Sequence, residues 1–398
     1  MFANNTYESV KKSVLDKVLR DGRFTIPEIA GETGLSSTTI AKHISQMLSN
    51  RLLEEIGAED TRRKGRKAIV YGIRPDSHYF LGVDVKNAGL GTGLMDFSGK
   101  LLLSDKNPDY RFENSHTNFD LVCTSISSFL ERLDDDTRSR IRAIGISLGG
   151  RVNSANGTSA TIFNFEETQD ASLSSILSER FSLPVYIEND TKALCYADYL
   201  ATGKKWPNVL YANVSWGLGL GIIINGELYY GSRGYSGEMG HIHTYDNNIM
   251  CHCGKKGCME TEVSGMAIHR KLIERVTAGE ASALSYKIRK NEQITEDDIV
   301  QATEQEDPLC IELVSETGRE LGKQLAGMIN LFNPDCIIIG GKFSRVSSYY
   351  FQQQAAVAVK QYSLKLMSRD VPIITSPLGE DAGILGAAIC ARKSIFSY

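Results

Sequence analysis

The segment from Gly237 to Glu260 is the most constrained part of this sequence, because it brings three cysteines and three histidines into 24 residues. A single residue separates Cys251 from Cys253, and Cys258 follows a stretch with two glycines that let the backbone turn back. Three thiolates at this spacing are typical of a metal site, and one further ligand would complete the tetrahedral set that structural zinc prefers. The sequence therefore predicts a loop folded around a metal ion.

The fourth ligand is open among three nearby histidines, His241, His243 and His252. His252 stands between two ligating cysteines and is expected to have difficulty turning inward, which favours a residue upstream of the loop. The alternative is that the cysteines are unrelated reduced thiols or form a disulfide. In a chain without a leader sequence, such thiols are more often metal ligands than bridges.

The same residues resemble the signature of the ROK family, which comprises repressors, open reading frames and sugar kinases. That signature reads GExGH, a spacer and CxCGxxGCxE, and its matches here are Glu238, Gly240, His241, Cys251, Cys253, Gly254, Gly257, Cys258 and Glu260. The resemblance implies one structural Zn²⁺ per chain, held by His241, Cys251, Cys253 and Cys258. It also implies that Glu238, His241 and Glu260 face the hydroxyl groups of a bound sugar.

The length of 398 residues exceeds what one ordinary hydrophobic core serves, so two or three domains are expected. The N-terminal residues lack the apolar core of a signal peptide, and no segment approaches the roughly 18 apolar residues of a membrane span. We therefore expect a cytoplasmic protein with no membrane partner.

Charge is distributed unevenly along the chain. The first 75 residues hold 13 basic and 9 acidic side chains, whereas the remainder holds 31 basic and 39 acidic ones. A basic head on an acidic body indicates a polyanionic partner for the head alone.

The head has the pattern of a helix-turn-helix. Apolar residues recur at helical spacing from Tyr7 to Leu19, a second helix begins near Pro27, and the chain turns at Gly34. A third helix, capped by Ser36 or Ser37, is expected to bury Ile40, Ile44 and Leu48. In this motif the last helix enters the major groove of DNA.

A wing is expected to follow the third helix, with strands at Leu52–Ile56 and Ala68–Tyr71 and a basic turn between them. The candidate DNA contacts on the helix and the wing are Ser37, Thr38, Thr39, Lys42, His43, Arg62, Arg63, Lys64, Arg66 and Lys67. The alternative for this segment is a helical interaction module with a solvated basic loop.

From Tyr79 onward, strands alternate with helices, which predicts an α/β body. The segments YFLGVDV, GTGLMDF and KLLLSD indicate an antiparallel meander, and a similar order repeats from Val209 to a closing strand CIIIGG. This order resembles the two-lobed, actin-like (ribonuclease-H-like) fold of ROK sugar kinases. We expect a winged helix-turn-helix domain at residues 1–75 and a ROK sugar-binding domain at 76–398. Lobe one would span about 76–192 with the C-terminal helix, and lobe two about 193–384.

The resemblance also implies sugar contacts in lobe one. Glu188-Asn189-Asp190 matches a family segment in which the asparagine binds a sugar hydroxyl and the aspartate is the general base of phosphoryl transfer. Gly150 and Arg151 match a turn that approaches the sugar, and Asn164 lies where a further contact is common. The alternatives are that Asp190 caps the following helix and that Asn164 only closes a turn.

The phosphate loops of the family's kinases are altered here. Their first loop, DxGGT, corresponds to Asp84-Val85-Lys86-Asn87-Ala88, and their second, GTGxG, corresponds to Ser215-Trp216-Gly217-Leu218-Gly219. Phosphoryl transfer depends on positioning and charge stabilisation, so losing both loops removes most of the rate. We therefore expect no catalytic residue, with Asp190 as a vestigial general base.

The sequence thus predicts a sugar-responsive transcriptional regulator, with repression as the expected mode. Its expected partners are a double-stranded DNA operator, a sugar or sugar-derivative effector, and a second copy of itself in a homodimer or tetramer, since helix-turn-helix proteins bind paired half-sites. The alternative is an ATP-dependent ROK sugar kinase with an accessory DNA-binding head.

Overall fold

The computed structural model describes residues 2–58, 67–165 and 171–396, with the backbone alone for residues 2–6. The predicted wing residues Arg62, Arg63, Lys64 and Arg66 lie outside this part of the chain. Two compact units are formed, one by Met1–Ala193 with Asp381–Tyr398 and the other by Leu194–Glu380. Within the described residues, no helix has the length and apolar character needed to cross a membrane.

The N-terminal segment confirms the three predicted helices and the two wing strands. Its elements are α1 (Phe2–Asp21), β1 (Phe24–Thr25), α2 (Ile26–Thr33), α3 (Ser37–Ser49), β2 (Leu53–Ala58) and β3 (Ile69–Ile73). Gly34 turns the chain with φ of 70°, a conformation that glycine adopts without strain. Ser36 caps α3 by accepting a hydrogen bond from the Thr39 amide at 3.2 Å.

Two details of this segment differ from the sequence prediction. Met47, not Leu48, is the fully buried residue in the last turns of α3, because the 3.6-residue period places it below Ile40 and Ile44. The short strand β1 pairs antiparallel with β3 and completes a three-stranded sheet. Its two residues are too few to show a strand pattern in the sequence.

The first unit continues with a five-stranded sheet whose order is β10-β7-β4-β5-β6. Its strands are β4 (Tyr79–Val85), β5 (Ala88–Asp96), β6 (Leu101–Arg111), β7 (Ile141–Leu148) and β10 (Val185–Asn189), and a separate hairpin is formed by β8 (Val152–Asn153) and β9 (Thr158–Ser159). The helices are α4 (His116–Glu131), α5 (Asp135–Ser139) and α6 (Leu173–Phe181). The predicted meander β4-β5-β6 is antiparallel, whereas β4, β7 and β10 run parallel.

Helix α7 (Asp190–Ala201) leads into the second unit, which repeats this sheet topology. Its strands are β11 (Val209–Val214), β12 (Leu218–Ile224), β13 (Glu227–Leu228), β14 (Cys336–Gly340) and β15 (Ile373–Thr375), in the order β13-β12-β11-β14-β15. Its helices are α8 (Gly265–Thr277), α9 (Ser285–Arg289), α10 (Glu296–Glu304), α11 (Pro308–Phe332), α12 (Gln352–Tyr362) and α13 (Lys365–Ser368). The predicted closing strand is not the last, because β15 adds a further parallel pairing to β14.

Helix α14 (Ala382–Phe396) returns to the first unit and packs across β4, β7 and β10. The contact is between backbones: a Cβ at Gly82 would overlap the carbonyl of Ile384, and one at Gly145 would overlap the carbonyl of Ala387. The two strands therefore carry glycine where the helix axis crosses them.

This contact predicts that Gly145→Ala is strongly destabilising. Neither the strand nor the helix backbone can move aside without breaking its hydrogen bonds, so we expect a loss of about 3 kcal/mol or more in the free energy of unfolding. Gly327→Ala is the matched control, since a Cβ there meets nothing within 4 Å and a helical alanine gains about 0.5–1 kcal/mol over glycine. Denaturant unfolding of both variants measures the difference. A Gly145→Ala protein as stable as the parent would contradict the close packing of α14.

Candidate ligand and metal site

The loop between β13 and α8 carries the cysteine cluster. Two short 3₁₀ turns, Met239–His241 and Met259–Thr261, lie at its ends, and bridge pairings of His243 with Cys258 and of Met250 with Lys256 fold it back on itself. Gly257 has φ of 72°, and a Cβ there would overlap the carbonyl of Tyr245. The chain reversal that the sequence predicts from its glycines therefore requires glycine at position 257, both for its backbone angle and for lack of space.

Four ligand atoms converge within this loop. The Sγ atoms of Cys251, Cys253 and Cys258 and a ring nitrogen of His241 all lie within 4.8 Å of one another. The Nδ1 atom of His241 is 3.6 Å from Cys251 Sγ, and the Sγ atoms of Cys253 and Cys258 are 3.6 Å apart. This set of donors could hold a metal ion.

His252 is not part of the group formed by His241 and the three cysteines. Its Nδ1 atom lies 2.9 Å from Oε1 of Glu260 and 3.9 Å from Cys251 Sγ, although 61% of its side chain stays exposed. The side chain of His252 is thus mostly exposed while one ring nitrogen contacts the Glu260 carboxylate. With His241 and Glu260 it forms a second group of potential ligands.

The two glutamates that bracket the cluster have different environments. Glu260 is 3% exposed, and its Oε2 accepts a hydrogen bond from the Leu218 amide at 2.9 Å. Burial acts to raise the pKa of Glu260, but the bonds from His252 and the Leu218 amide outweigh it, and the pKa is lowered. Glu238 is more accessible, with its Oε2 atom 3.6 Å from Nε2 of His241.

The first unit holds the other predicted contacts, and it brings Gly150, Asn189 and Asp190 together. Asn189 ends β10, and its side-chain amide donates to the Gly150 carbonyl at 2.8 Å. Its Oδ1 atom accepts from the Lys192 amide at 3.1 Å, so Asn189 caps α7. The capping role considered for Asp190 therefore belongs to its neighbour.

Arg151 directly precedes β8 and Asn164 follows β9, so the two residues flank the β8–β9 hairpin. The Arg151 amide donates to Oγ1 of Thr161 at 3.0 Å, and the Ala160 amide donates to the Arg151 carbonyl at 2.9 Å. Asn164 is exposed, and its side chain donates to the Ala160 carbonyl at 3.3 Å. Both residues are thus hydrogen-bonded to Ala160, and the turn-closing alternative for Asn164 has a hydrogen bond in its favour.

Asp190 is an electrostatically unfavourable carboxylate. Burial raises the pKa of Asp190 to about 6, and the negative charge of Asp84 adds to this, while the Thr191 amide bond at 2.7 Å opposes it. Asp84 is 3% exposed, and its Oδ2 atom lies 3.0 Å from Nζ of Lys86. The Asp84–Lys86 pair was missed as a pair in the sequence, although an aspartate at the end of a buried strand is a usable signal.

The two loops that correspond to kinase phosphate loops are both turns with internal bonds. The Lys86 amide donates to the Gly89 carbonyl at 3.1 Å, which closes the β4–β5 turn. The carbonyls of Ser215 and Trp216 accept from the first amides of α8, those of Gly265 and Met266, at 2.8 and 3.0 Å. The Trp216 ring lies 5.3 Å from that of His269, centroid to centroid.

On α3, the predicted contacts Ser37, Thr38 and Lys42 are exposed and Thr39 is half-buried. His43 instead packs against Tyr7 of α1, with ring centroids 5.6 Å apart and its Nδ1 atom buried. Three residues of the exposed face, Ser45, Gln46 and Ser49, were not singled out in the sequence. Lys67, the residue at which the described chain resumes before β3, is exposed.

Comparison with known proteins gives consistent matches. A family model described as ROK family matches residues 80–394. The xylose repressor of Bacillus subtilis is 26% identical over 384 residues, which cover 94% of this chain and 93% of that protein. The N-acetylglucosamine repressor of Escherichia coli O157:H7 is 26% identical over 369 residues, with coverage of 92% and 88%.

Two solved structures extend the comparison. A ROK family transcriptional regulator, described as a homologue of the Escherichia coli Mlc protein, has a TM-score of 0.79 at 26% identity and covers 98% of this chain and 96% of its own. A ROK family glucokinase from Streptomyces griseus, in complex with glucose and AMPPNP, has a TM-score of 0.69 at 26% identity. It covers 79% of this chain and 99% of its own.

The raised pKa of Asp190 predicts a stability gain on Asp190→Asn that depends on pH. The folded pKa of about 6 exceeds the unfolded value of about 3.9, so ionisation opposes folding, fully above pH 6 and not at all below about pH 4. We expect the variant to gain about 1–3 kcal/mol at pH 7–8 and nothing near pH 4. Thermal unfolding across this pH range, with Asp109→Asn on exposed β6 as control, measures it. A gain that is independent of pH would contradict the assignment to this carboxyl.

Proposed function

The chain belongs to the ROK family, and from this premise we propose that it is a sugar-responsive, DNA-binding transcriptional regulator that acts as a repressor. The observation that carries the proposal is the helix-turn-helix segment ahead of the kinase-like body. A ROK transcriptional regulator matches 98% of this chain, whereas the glucokinase structure matches 79% of it. The family model begins at residue 80, so the head is the part that the kinase body does not require.

Residues 1–75 are the DNA-binding domain in this proposal, and residues 76–398 are the sugar-binding domain. Helix α3 exposes Ser37, Thr38 and Lys42 to solvent. Ser37 and Thr38 are small polar residues suited to base edges, and Lys42 is a cation suited to phosphate. Thr39, His43 and the wing cations Arg62, Arg63, Lys64, Arg66 and Lys67 complete the proposed interface. The packing of His43 on Tyr7 gives it a second role, which is to fix α3 against α1.

The effector is a sugar or sugar derivative, and the names of the related xylose and N-acetylglucosamine repressors define the class to be tested. Its proposed contacts are Gly150, Arg151, Asn164, Asn189 and Asp190 in the first unit and Glu238, His241 and Glu260 in the second. Carboxylates and an asparagine amide are suited to hydroxyl groups, because they accept and donate hydrogen bonds in fixed directions. Among these proposed contacts, two have the best geometric support. Asn189 is fixed in place by its hydrogen bond to Gly150, and the Glu238 side chain is accessible.

Zinc fits the donor set of the cysteine loop. Ligands at tetrahedral corners, with bonds of roughly 2.3 Å to sulfur and 2.0–2.1 Å to nitrogen, stand about 3.8 Å apart between sulfurs and about 3.6 Å apart between sulfur and nitrogen. The distances of 3.6 Å between Cys253 and Cys258 and of 3.6 Å from Cys251 to His241 Nδ1 agree with this. The Nε2 atom of His241 faces Glu238. A zinc-bound histidine commonly has a carboxylate at its second ring nitrogen, and Glu238 would take that position here.

The proposed role of this zinc is to order the loop. Cys258 is followed by Glu260, whose carboxylate holds the Leu218 amide at the start of β12. A folded loop therefore fixes Glu238, Glu260 and the turn before β12 together. The metal supplies structure in this arrangement, because four protein ligands leave no open position.

The alternative function, an ATP-dependent sugar kinase, has one observation in its favour: Asp84 and Asp190 are both retained, close enough for their charges to interact. The phosphate loops weigh against it. Lys86 replaces a glycine in the first loop and directs its ammonium group to Asp84. In the second, an indole stands where a threonine would meet a phosphate, and the neighbouring carbonyls are bonded to α8. We therefore propose that the chain is not an enzyme.

A homodimer or tetramer completes the proposal. One head offers a single recognition helix, and helix-turn-helix proteins reach operator specificity through paired half-sites one or more helical turns apart. A sugar that changes the placement of the two heads would then change operator affinity, and the operator would change sugar affinity by the same factor.

For the metal, we predict one zinc per chain in the purified protein and loss of most of it in Cys253→Ser, because three ligands bind far more weakly than four. Elemental analysis measures the content, and thermal unfolding with and without a chelator measures the coupling to folding. Lys255→Ala, at an exposed residue of the same loop, should keep its zinc. A parent protein with well under one zinc per chain would refute the assignment.

For the function, we predict that a sugar from a panel of D-xylose, D-glucose, N-acetylglucosamine and their phosphates raises the melting temperature and changes operator affinity about 5- to 150-fold. Glu238→Ala should abolish this response and leave sugar-free DNA binding intact, while Glu292→Ala, at an exposed glutamate, should respond normally. Gel-shift titrations on a duplex selected from a random pool provide the measurement.

A coupled assay with ATP, Mg²⁺ and the bound sugar tests the alternative in the same preparation. We expect no phosphorylation above background. Turnover that Asp190→Asn abolishes would establish the kinase, and an operator affinity indifferent to a bound sugar would overturn the regulator.

A further inference from the structure

We propose that helix α14 couples the ligand site of the first unit to the DNA-binding head, and that Phe396 at its end and Lys11 of α1 are the positioning residues of this coupling. This proposal rests on the proposed function and adds the structural connection between the ligand site and the DNA-binding head. It starts from contacts at the two ends of one helix.

The N-terminal turn of α14 lies against Asp84 and against the first turn of α7, the helix that begins with the predicted sugar contact Asp190. A Cβ at Gly383 would overlap the carboxylate of Asp84, and one at Gly386 would stand 2.6 Å from the carbonyl of Ala193, in the first turn of α7. Asp190 begins that helix, and its charge interacts with that of Asp84. A ligand that displaces Asp190 or Asp84 therefore presses on α14 with no intervening space, because close-packed interiors transmit displacement.

The glycine contacts at Gly82 and Gly145 hold the body of α14 to the sheet, so the helix and the strands beneath it can be displaced only together. It carries no proline, and its helical residues span about 20 Å at 1.5 Å per residue. Near its end, the buried Arg392 donates to the Phe97 carbonyl at 2.8 Å. Phe97 in turn donates its amide to the Pro75 carbonyl at 3.0 Å, in the segment that joins the head to the body.

Phe396, at the C-terminal end of α14, contacts both the connecting segment and the head. Its ring centroid lies 4.8 Å from that of Phe97 and 5.5 Å from that of His78. The Nζ atom of Lys11, from α1 of the head, lies 5.6 Å from the centroid of the same ring. The aromatic ring thus contacts the connecting segment and the head at once, and a cation over a ring is a directional attraction that a shift of either partner weakens.

A ligand shifts a two-state equilibrium only through contacts that differ between the two states. The Lys11–Phe396 contact has this property, since it joins the end of α14 to an element outside the sheet. Removing it should leave sugar binding and sugar-free operator binding in place and reduce the effect of one on the other.

The test compares Lys11→Met, Lys11→Arg and Phe396→Leu with the parent, using the panel sugar that raises its melting temperature and the selected duplex. Operator affinity is titrated with and without sugar, and sugar affinity is measured by calorimetry. Loss of a cation–π contact should reduce the sugar-induced change in operator affinity about two- to fivefold in Lys11→Met, while Lys11→Arg keeps the parent response. Phe396→Leu should lose at least as much, because it removes the ring that all three neighbours share.

Lys12→Met is the matched control, being an exposed lysine of the same helix. If Lys11 acted as a phosphate contact, operator affinity would fall equally with and without sugar, and the salt slope would drop by about one. That outcome, or an undiminished sugar response in both Lys11→Met and Phe396→Leu, would overturn the coupling. A parent protein that binds sugar without any change in operator affinity would instead overturn the proposed function itself.

Discussion

The backbone contact between α14 and the first sheet is the constraint on which the arrangement of this unit depends. Strands β4 and β7 approach the helix so closely that Gly82 and Gly145 leave no room for a side chain. A helix held at backbone distance cannot tilt or slide without breaking contacts along its length, whereas one packed through side chains has rotamers to adjust. The first turn of this helix contacts Asp84, and its last residue lies in the aromatic cluster beside the head. One rigid helix therefore connects two distant parts of the unit.

The electrostatics of the site follow from burial. Asp84 and Asp190 interact in a poorly solvated region. Lys86 lies 3.0 Å from Asp84 and Lys192 acts on Asp190, but at Asp190 burial outweighs the nearby cation. The pKa of Asp190 is raised to about 6 as a result. Active and binding sites commonly keep such unfavourable groups because a ligand provides the missing hydrogen bonds. In the second unit the opposite holds, since the buried Glu260 has an amide and a histidine as partners.

The sequence predicts the α/β class, the head helices, the antiparallel meander and the repeated sheet, because each depends on local periodicity that burial enforces. It predicts the convergence of Cys251, Cys253 and Cys258 from spacing alone, whereas the choice of His241 required the family resemblance. Features set by tertiary contact were missed: the two-residue strand β1, the contact of His252 with Glu260, and the Asp84–Lys86 pair. The helix cap was assigned to Asp190 as an alternative, but Asn189 makes it, since capping depends on a backbone angle that the sequence does not fix.

Residues retained in a site carry different amounts of information about function. Asp84 contacts α14, Asn189 caps α7 and donates to the Gly150 carbonyl, and Glu260 accepts from the Leu218 amide, so each has a structural role in this chain apart from any ligand. Asp190 has little of this kind. Its side chain accepts hydrogen bonds from the adjacent residues Asn189 and Thr191, and burial makes its charge a cost to the folded state. A chain that had lost every use for its sugar site would gain stability by replacing Asp190 first. Its presence therefore supports the proposed ligand site, in a chain whose first loop has Lys86 and Asn87 in place of two glycines and whose second loop has Trp216 in place of a threonine.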